Sequence, residues 1–329
     1  MASVNPCAYC GGMGIELDQS PRRTVSPSAY VWVSRFALIL LCIIVVSGAA
    51  VRLSGSGLGC SDWPRCNSER FIDVSTTHGA IEQVNRLFTG LVTVIVIGAV
   101  LAARYRHPYR KDLMLLAWGL VIGVVGQIVL GGIVVLTDLN PVANQGHFLL
   151  SMFLVANALI LHKRAGHDQA PVRESTIPRK KLSRQQAMTR FASAVGALAI
   201  VTGTVVTGAG PHAGDENSPR LDFDIASVAR LHGIFVFVTI VALAVLALDV
   251  QRRKVSGLLA PLEIVLVVAV LQATVGYIQY FNNIPALLVG VHVFGATMFF
   301  LALVNLWLAS NQIERDNVSI LDRNSLTVR

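Results

Sequence analysis

The sequence predicts an all-α integral membrane protein, with eight transmembrane helices arranged as two pseudo-symmetric four-helix bundles. Three observations carry this. Of 329 residues, 53% are hydrophobic and only 14% charged, and the mean hydropathy is +0.61; soluble domains carry roughly 25% charge. Eight apolar stretches, at about 31–52, 78–103, 113–137, 143–162, 188–209, 226–249, 258–281 and 285–309, each approach the ~20 residues that span a bilayer. Features of the first four stretches then recur, in order, in the last four.

Residues 1–29 are polar, contain Pro and Gly, and read as a disordered tail. They hold one C-x-x-C, Cys7 and Cys10, without the second pair or histidine that a zinc site needs. The first half, 30–162, begins with a span ending at Arg52 and a Ser54-Gly55-Ser56-Gly57 turn. A polar loop follows with no A-x-A site, which argues against a cleaved signal peptide. In that loop an oxidising compartment would permit a disulfide between Cys60 and Cys66, the alternative being two free thiols. Cys42, inside span one, reads as a packing residue.

Span two opens on Ser75–Gly90, STTHGAIEQVNRLFTG, which places His78, Glu82, Asn85 and Arg86 within nine residues of an apolar helix. Such groups are costly in a membrane and face a bundle interior, cavity or cofactor. Span three carries Gln127 and Gly131-Gly132, and span four opens with Gln145-Gly146-His147. A basic segment, 163–187, leads to the second half, 188–309, and 310–329 is a tail.

In the second half, Thr207-Gly208-Ala209-Gly210 answers Ser54–Gly57, and His232-Gly233 answers His78-Gly79. Gln272-x-x-x-Gly276 answers Gln127-x-x-x-Gly131, and 20 residues separate both Gln127 from His147 and Gln272 from His292. This alignment sets Val236 against Glu82, so only the first pocket has a carboxyl group.

The net charge of +8 does not indicate a nucleic-acid partner. Of the 27 Lys and Arg, only Arg52, Arg65, Arg70, Arg86, Arg220 and Arg230 fall around the loops after spans one, three, five and seven. The other 21 crowd the opposite side, which predicts cytoplasmic termini and an outer face bearing the Cys60 loop.

His107, His162, His167 and His212 lie in loops or at helix ends and receive no role. His78, His147, His232 and His292 fall near the outer ends of the even-numbered spans. A single histidine there is most simply hydrogen-bonded or interfacial. Four in a repeated pattern suit the axial positions of haem iron, one pair per bundle. Zinc would need further ligands that the second half does not offer. Arg52, Arg86 and Arg230 are candidate partners for haem propionates, or else snorkel to the interface. Glu82 is either a proton-handling group or a structural partner of Arg86, four residues on. The expectation is one reactive and one electron-storing haem pocket.

Several motifs resemble the haem A synthase family: GSGLGC-x-x-WP-x-C at 55–66, IEQVNR at 81–86, NQGHF at 144–148, TGAGPHAGD at 207–215, LHG at 231–233 and VGVHVFG at 289–295. The resemblance covers nearly all of 30–310. It implies an enzyme of the cell membrane that oxidises a ring methyl of haem O, through an alcohol and a hydrated aldehyde, to the formyl group of haem A. It implies haem b between His232 and His292, haem O in the first half with His147 as a ligand, Glu82 as the essential acid, and Cys60–Cys66 as the outer-loop pair. Haem O synthase, oxidase assembly factors and an unidentified electron donor are the implied partners. Many members read E-x-x-H-R where this chain has Asn85. Either His78 takes the missing histidine's place, or the substrate iron has His147 alone and one open side.

Two rivals stand beside this reading. A non-enzymatic di-haem b cytochrome fed by quinol explains four histidines but not a Glu in one half alone. A transporter predicts broken helices with polar residues at the midplane, whereas these histidines sit at the outer ends.

Overall fold

The computed structural model describes residues 24–167, 183–255 and 257–326, with side chains as far as Gln312. Cys7, Cys10 and residues 168–182 of the basic segment lie outside them. The described residues form eight helices: α1 (Pro27–Leu53), α2 (Thr77–Tyr105), α3 (Lys111–Leu136), α4 (Pro141–Ala165), α5 (Arg184–Ala209), α6 (Ile225–Arg252), α7 (Leu259–Phe281) and α8 (Ala286–Leu326). All eight are long and apolar enough to cross a membrane, making this a multi-pass membrane protein. The last runs on through part of the segment expected as a tail.

Helix starts follow from local chemistry. Ser26 and Asn140 cap α1 and α4, each with Pro at the next position, where its fixed φ suits the first turn. Thr76 caps α2, Asp224 caps α6, and Ser183 forms a reciprocal capping box with Gln186. Each such cap contributes about 1 kcal/mol. Hydrogen bonds from the Ser227 hydroxyl and N–H hold the Asp224 carboxyl below the ordinary carboxylate range.

Helices α1–α4 pack as a closed ring of neighbours, and α5–α8 repeat it. Between the bundles, α1 meets α8, α4 meets α5, and α4 meets α8. Exchanging each helix with the one four places on maps the first contact onto the second and the third onto itself. A two-fold axis between the bundles produces that pattern.

The buried residues set the register of the repeat. Val92, Val96, Ala99 and Ala103 of α2 match Thr239, Leu243, Leu246 and Val250 of α6, each 147 positions later. Ser34, Ala37 and Leu41 of α1 match Thr189, Ala192 and Gly196 of α5, 155 later. Leu113, Ala117, Leu120 and Val124 match Leu258, Leu262, Val265 and Ala269, 145 later. Met152, Leu154, Ala158 and Leu161 match Thr297, Phe299, Leu303 and Leu306, also 145 later.

This register corrects the sequence alignment in α2. His78 is the second residue of α2, whereas His232 is the eighth of α6, about 9 Å further along its helix at 1.5 Å per residue. The true counterpart of His232 is Asn85, 147 positions earlier, and that of Glu82 is Ala229 rather than Val236. Similar Gly-to-His spacings concealed a longer first connection, 54–76 against 210–224.

Each bundle is solid at one end and hollow at the other. The core of the first runs from Tyr30 to Val45, Val92 to Ala103, Leu113 to Val124 and Met152 to Ala165. That of the second includes Ala192, Leu243, Val250, Leu262 and Leu306. Both lie toward the α2–α3 and α6–α7 connections. The opposite halves of the helices, toward the 54–76 and 210–224 connections, enclose the site.

Candidate functional site

One cavity of about 1130 Å³ spans both bundles. That exceeds the roughly 300–1,000 Å³ of ordinary small-molecule pockets. His147, His232, His292, Glu82, Asn85 and Arg52 line it, with Arg86 and Arg230.

In the second half, the His232 and His292 ring centres are 6.4 Å apart, with planes at 80°. The His232 Nδ1–H donates to the Ala199 carbonyl at 2.9 Å, beside Thr202 Oγ1 at 3.3 Å. That bond fixes the tautomer and leaves Nε2 as the free lone pair. Gln272 Nε2 donates to the backbone carbonyl of His292 at 2.5 Å. Each imidazole leans on a glycine: a Cβ on Gly203 or Gly276 would meet Cε1 of His232 or His292 at 3.1 Å.

In the first half, Gln127 Nε2 donates to the His147 carbonyl at 3.0 Å and to Ser151 Oγ at 2.8 Å. Gly131 faces the His147 ring, as Gly276 faces that of His292. The Nδ1 atoms of His147 and His292 are buried without a hydrogen-bond partner. Burying such groups is costly, so both imidazoles retain unused ligating capacity.

The 54–76 connection roofs the first half. Cys60 and Cys66 form the disulfide. Gly59 lies so close to the His78 carbonyl that a Cβ there would collide with it, and Trp63 stacks on Gly132, where a Cβ would meet it at 2.8 Å. The Gly57 N–H donates to the Gly214 carbonyl at 2.9 Å, tying this roof to the 210–224 connection. In the same loop, hydrogen bonds from the Ser75 hydroxyl and N–H hold the Asp73 carboxyl below its usual range.

Glu82 is 5% exposed and joins the roof to α2. Its Oε2 accepts the Cys60 N–H at 2.7 Å, and its Oε1 accepts Arg86 Nη2 at 2.6 Å and Nε at 3.0 Å. Three N–H donors suit an acceptor-only carboxylate. Arg86 spends its other donors on the carbonyls of Asp62 and Arg65. The ion pair is formed, and the same carboxyl lines the cavity.

The structure does not bring His78 to the cavity. The ring is exposed and pairs through Nδ1 with Ser56 Oγ at 2.8 Å; the α2 residues that reach the lining are Glu82, Gln83, Asn85 and Arg86. The expectation that His78 takes the place of a ligand at Asn85 is therefore corrected, because it stands seven residues, about two turns, too early on the helix. Of the arginines, Arg52 donates from Nη2 to the Thr207 carbonyl at 2.7 Å, while its buried Nε has no partner. Arg230 is exposed at the rim. His212, given no role, donates from Nε2 to the Ile284 carbonyl at 2.7 Å and pins two connections together.

Sequence reasoning passed over Ser47, Gly48, Thr202 and Gly203. The repeated Val46-Ser47-Gly48 and Val201-Thr202-Gly203 carried that signal. Among the described residues no cluster of three His, Cys, Asp or Glu is spaced to hold a bare metal ion. A metal bringing its own equatorial ligands needs only the imidazoles. Two rings on opposite sides of one ion, each bonded at about 2 Å, have centres roughly 6 Å apart, which the His232–His292 pair fits.

The sequence model described as cytochrome oxidase assembly protein, COX15-CtaA, matches residues 30–78 and 70–215. Among similar proteins, the Heme A synthase of Bacillus pumilus is 32% identical over 124 residues, 37% of this chain and 40% of that one. That of Listeria welshimeri is 31% identical over 134 residues, 40% of this chain and 43% of the relative. That of Geobacillus thermodenitrificans is 32% identical over 130 residues, 38% and 39% of the respective chains. The matches thus span about two fifths of these relatives. The family model, by contrast, spans more than half of the present sequence, and the chain belongs to the COX15-CtaA family of cytochrome oxidase assembly proteins.

Proposed function

We propose that this chain is a haem A synthase, oxidising a ring methyl of haem O to the formyl group of haem A. The observation that carries the proposal is the His232–His292 pair, 6.4 Å between ring centres, in a cavity continuous with a half that holds His147 and Glu82. The names of the relatives agree with it.

In this reading His232 and His292 hold haem b, and His147 orients haem O. Bound haem b supplies one-electron redox chemistry. Hydrogen bonding to Ala199 presents His232 Nε2 to the cavity, and Gln272 and Gln127 fix the backbone of the opposing histidines. Glu82 holds or passes a proton through the carboxylate oxygen lone pairs that its three donors leave free. Trp63 and the disulfide loop keep bulk water from that carboxyl. The unpartnered Arg52 Nε is the propionate partner best supported by geometry; Arg86 is committed to the loop. Leu87, Ile234 and Phe237 are exposed yet line the cavity, which supports lateral delivery of haem O from the bilayer or from a haem O synthase. The charge asymmetry supports cytoplasmic termini and a cavity toward the outer face of the cell membrane.

The test is expression with a source of haem O, followed by extraction and chromatography. Haem A is the expected product. Unchanged haem O with bound protohaem would replace this reading with the di-haem cytochrome. His78→Ala is expected to leave haem A yield within about twofold, since its Ser56 contact is one hydrogen bond of about 1 kcal/mol; loss of product would return His78 to the site.

A further inference from the structure

The two halves share a register, yet they differ at one ligand position. In α6, His232 packs against Gly203 and lies 3.3 Å from Thr202 Oγ1. In α2, the equivalent Asn85 accepts a hydrogen bond from Ser47 Oγ at 2.8 Å. Ser47 and Gly48 precede Thr202 and Gly203 by the same 155 positions that relate the buried residues of α1 and α5. The same three-residue arrangement thus occurs twice, with imidazole in one copy and carboxamide in the other.

The carboxamide does not fill the imidazole's space. A Cβ on Gly203 would meet His232 Cε1 at 3.1 Å, whereas a Cβ on Gly48 would meet nothing within 4 Å. Both glycines line the cavity, as does Asn85. With Oδ1 accepting from the Ser47 hydroxyl, the Asn85 Nδ2 amide has no hydrogen-bond partner among the described residues and is available as a donor. Opposite this stretch, the first half retains its own ring, His147, in register with His292.

We infer that Asn85, Ser47 and Gly48 form a binding pocket for a small exogenous ligand on the open side of an iron porphyrin held by His147 alone. This rests on the haem reading of the first half. The open space beside Gly48 admits a ligand of imidazole size or smaller, and the Asn85 amide donates a hydrogen bond to it. The second half, with both imidazoles present, excludes such ligands from its iron.

The full chain, purified with haem in both halves, is titrated with carbon monoxide in the reduced state and with imidazole in the oxidised state, by absorption and paramagnetic resonance. One high-spin haem that binds both probes, beside one low-spin haem that binds neither, is expected. Asn85→His should convert the high-spin signal to low-spin and abolish carbon monoxide binding, with haem content unchanged. Gly48→Leu should weaken imidazole binding by roughly tenfold or more without adding an iron ligand, which guards against misfolding of the first variant. A first-half haem that is low-spin and indifferent to both probes would overturn the inference while sparing the haem reading. A single haem per chain even when haem O is supplied, lost with His232 but not with His147, would overturn the first-half substrate site and the inference together.

Discussion

His292→Ala and His232→Ala are each expected to empty the second half of haem b and to abolish haem A formation. The expected loss of haem affinity exceeds the roughly 10–100-fold that follows removal of a merely supporting group. The two ring centres lie 6.4 Å apart with their planes at 80°, and no other described histidine lines that part of the cavity. Pyridine haemochrome analysis of purified variants reads haem content directly. If either variant kept its full complement, with an unchanged spectrum, the pair would not be the ligand set.

Glu82→Gln is expected to lower haem A formation by about 100-fold or more, the range associated with loss of a positioned acid or base, while haem b content stays intact. The amide keeps the shape of the carboxyl but has a single acceptor oxygen, which can still take the Arg86 donors while its NH2 meets the Cys60 N–H, so the roof loses one hydrogen bond and keeps two. Glu82→Ala strips the acceptor from three N–H donors at once, costing about 1–3 kcal/mol for each buried group left unsatisfied. It should therefore also lower thermal stability. Equal losses of stability in both variants would assign Glu82 to structure alone, and full product formation in the Gln variant would remove it from proton handling. The Cys60–Cys66 loop acts through the same carboxyl, because the Cys60 N–H is one of its donors.

Much of the fold was legible in the sequence because membrane spans announce themselves by length and composition, and because the Gln-to-His spacing is conserved between the halves at 20 residues. That spacing lies within one helical hairpin, α3–α4 or α7–α8, and geometry fixes it. The spacing from the glycine turn to the first histidine crosses a connection whose length is free. There the sequence pattern matched His78 to His232, whereas side-chain burial in α2 and α6 matched Asn85. The roles of Gln127 and Gln272 were likewise partly visible. The pattern marked them as paired, but only coordinates connect each amide to a histidine carbonyl. The Glu82–Arg86 pair was predictable from four-residue spacing, and the Cys60 N–H that completes it was not, since it arrives from a loop 22 residues earlier.

The most direct measurement is the paramagnetic resonance spectrum of the oxidised, purified chain from a host that makes protohaem but no haem O. One low-spin haem per chain with two imidazole ligands, absent from both His232→Ala and His292→Ala, is the predicted result. A low-spin haem that survives either substitution, or a preparation that binds no haem, would contradict it.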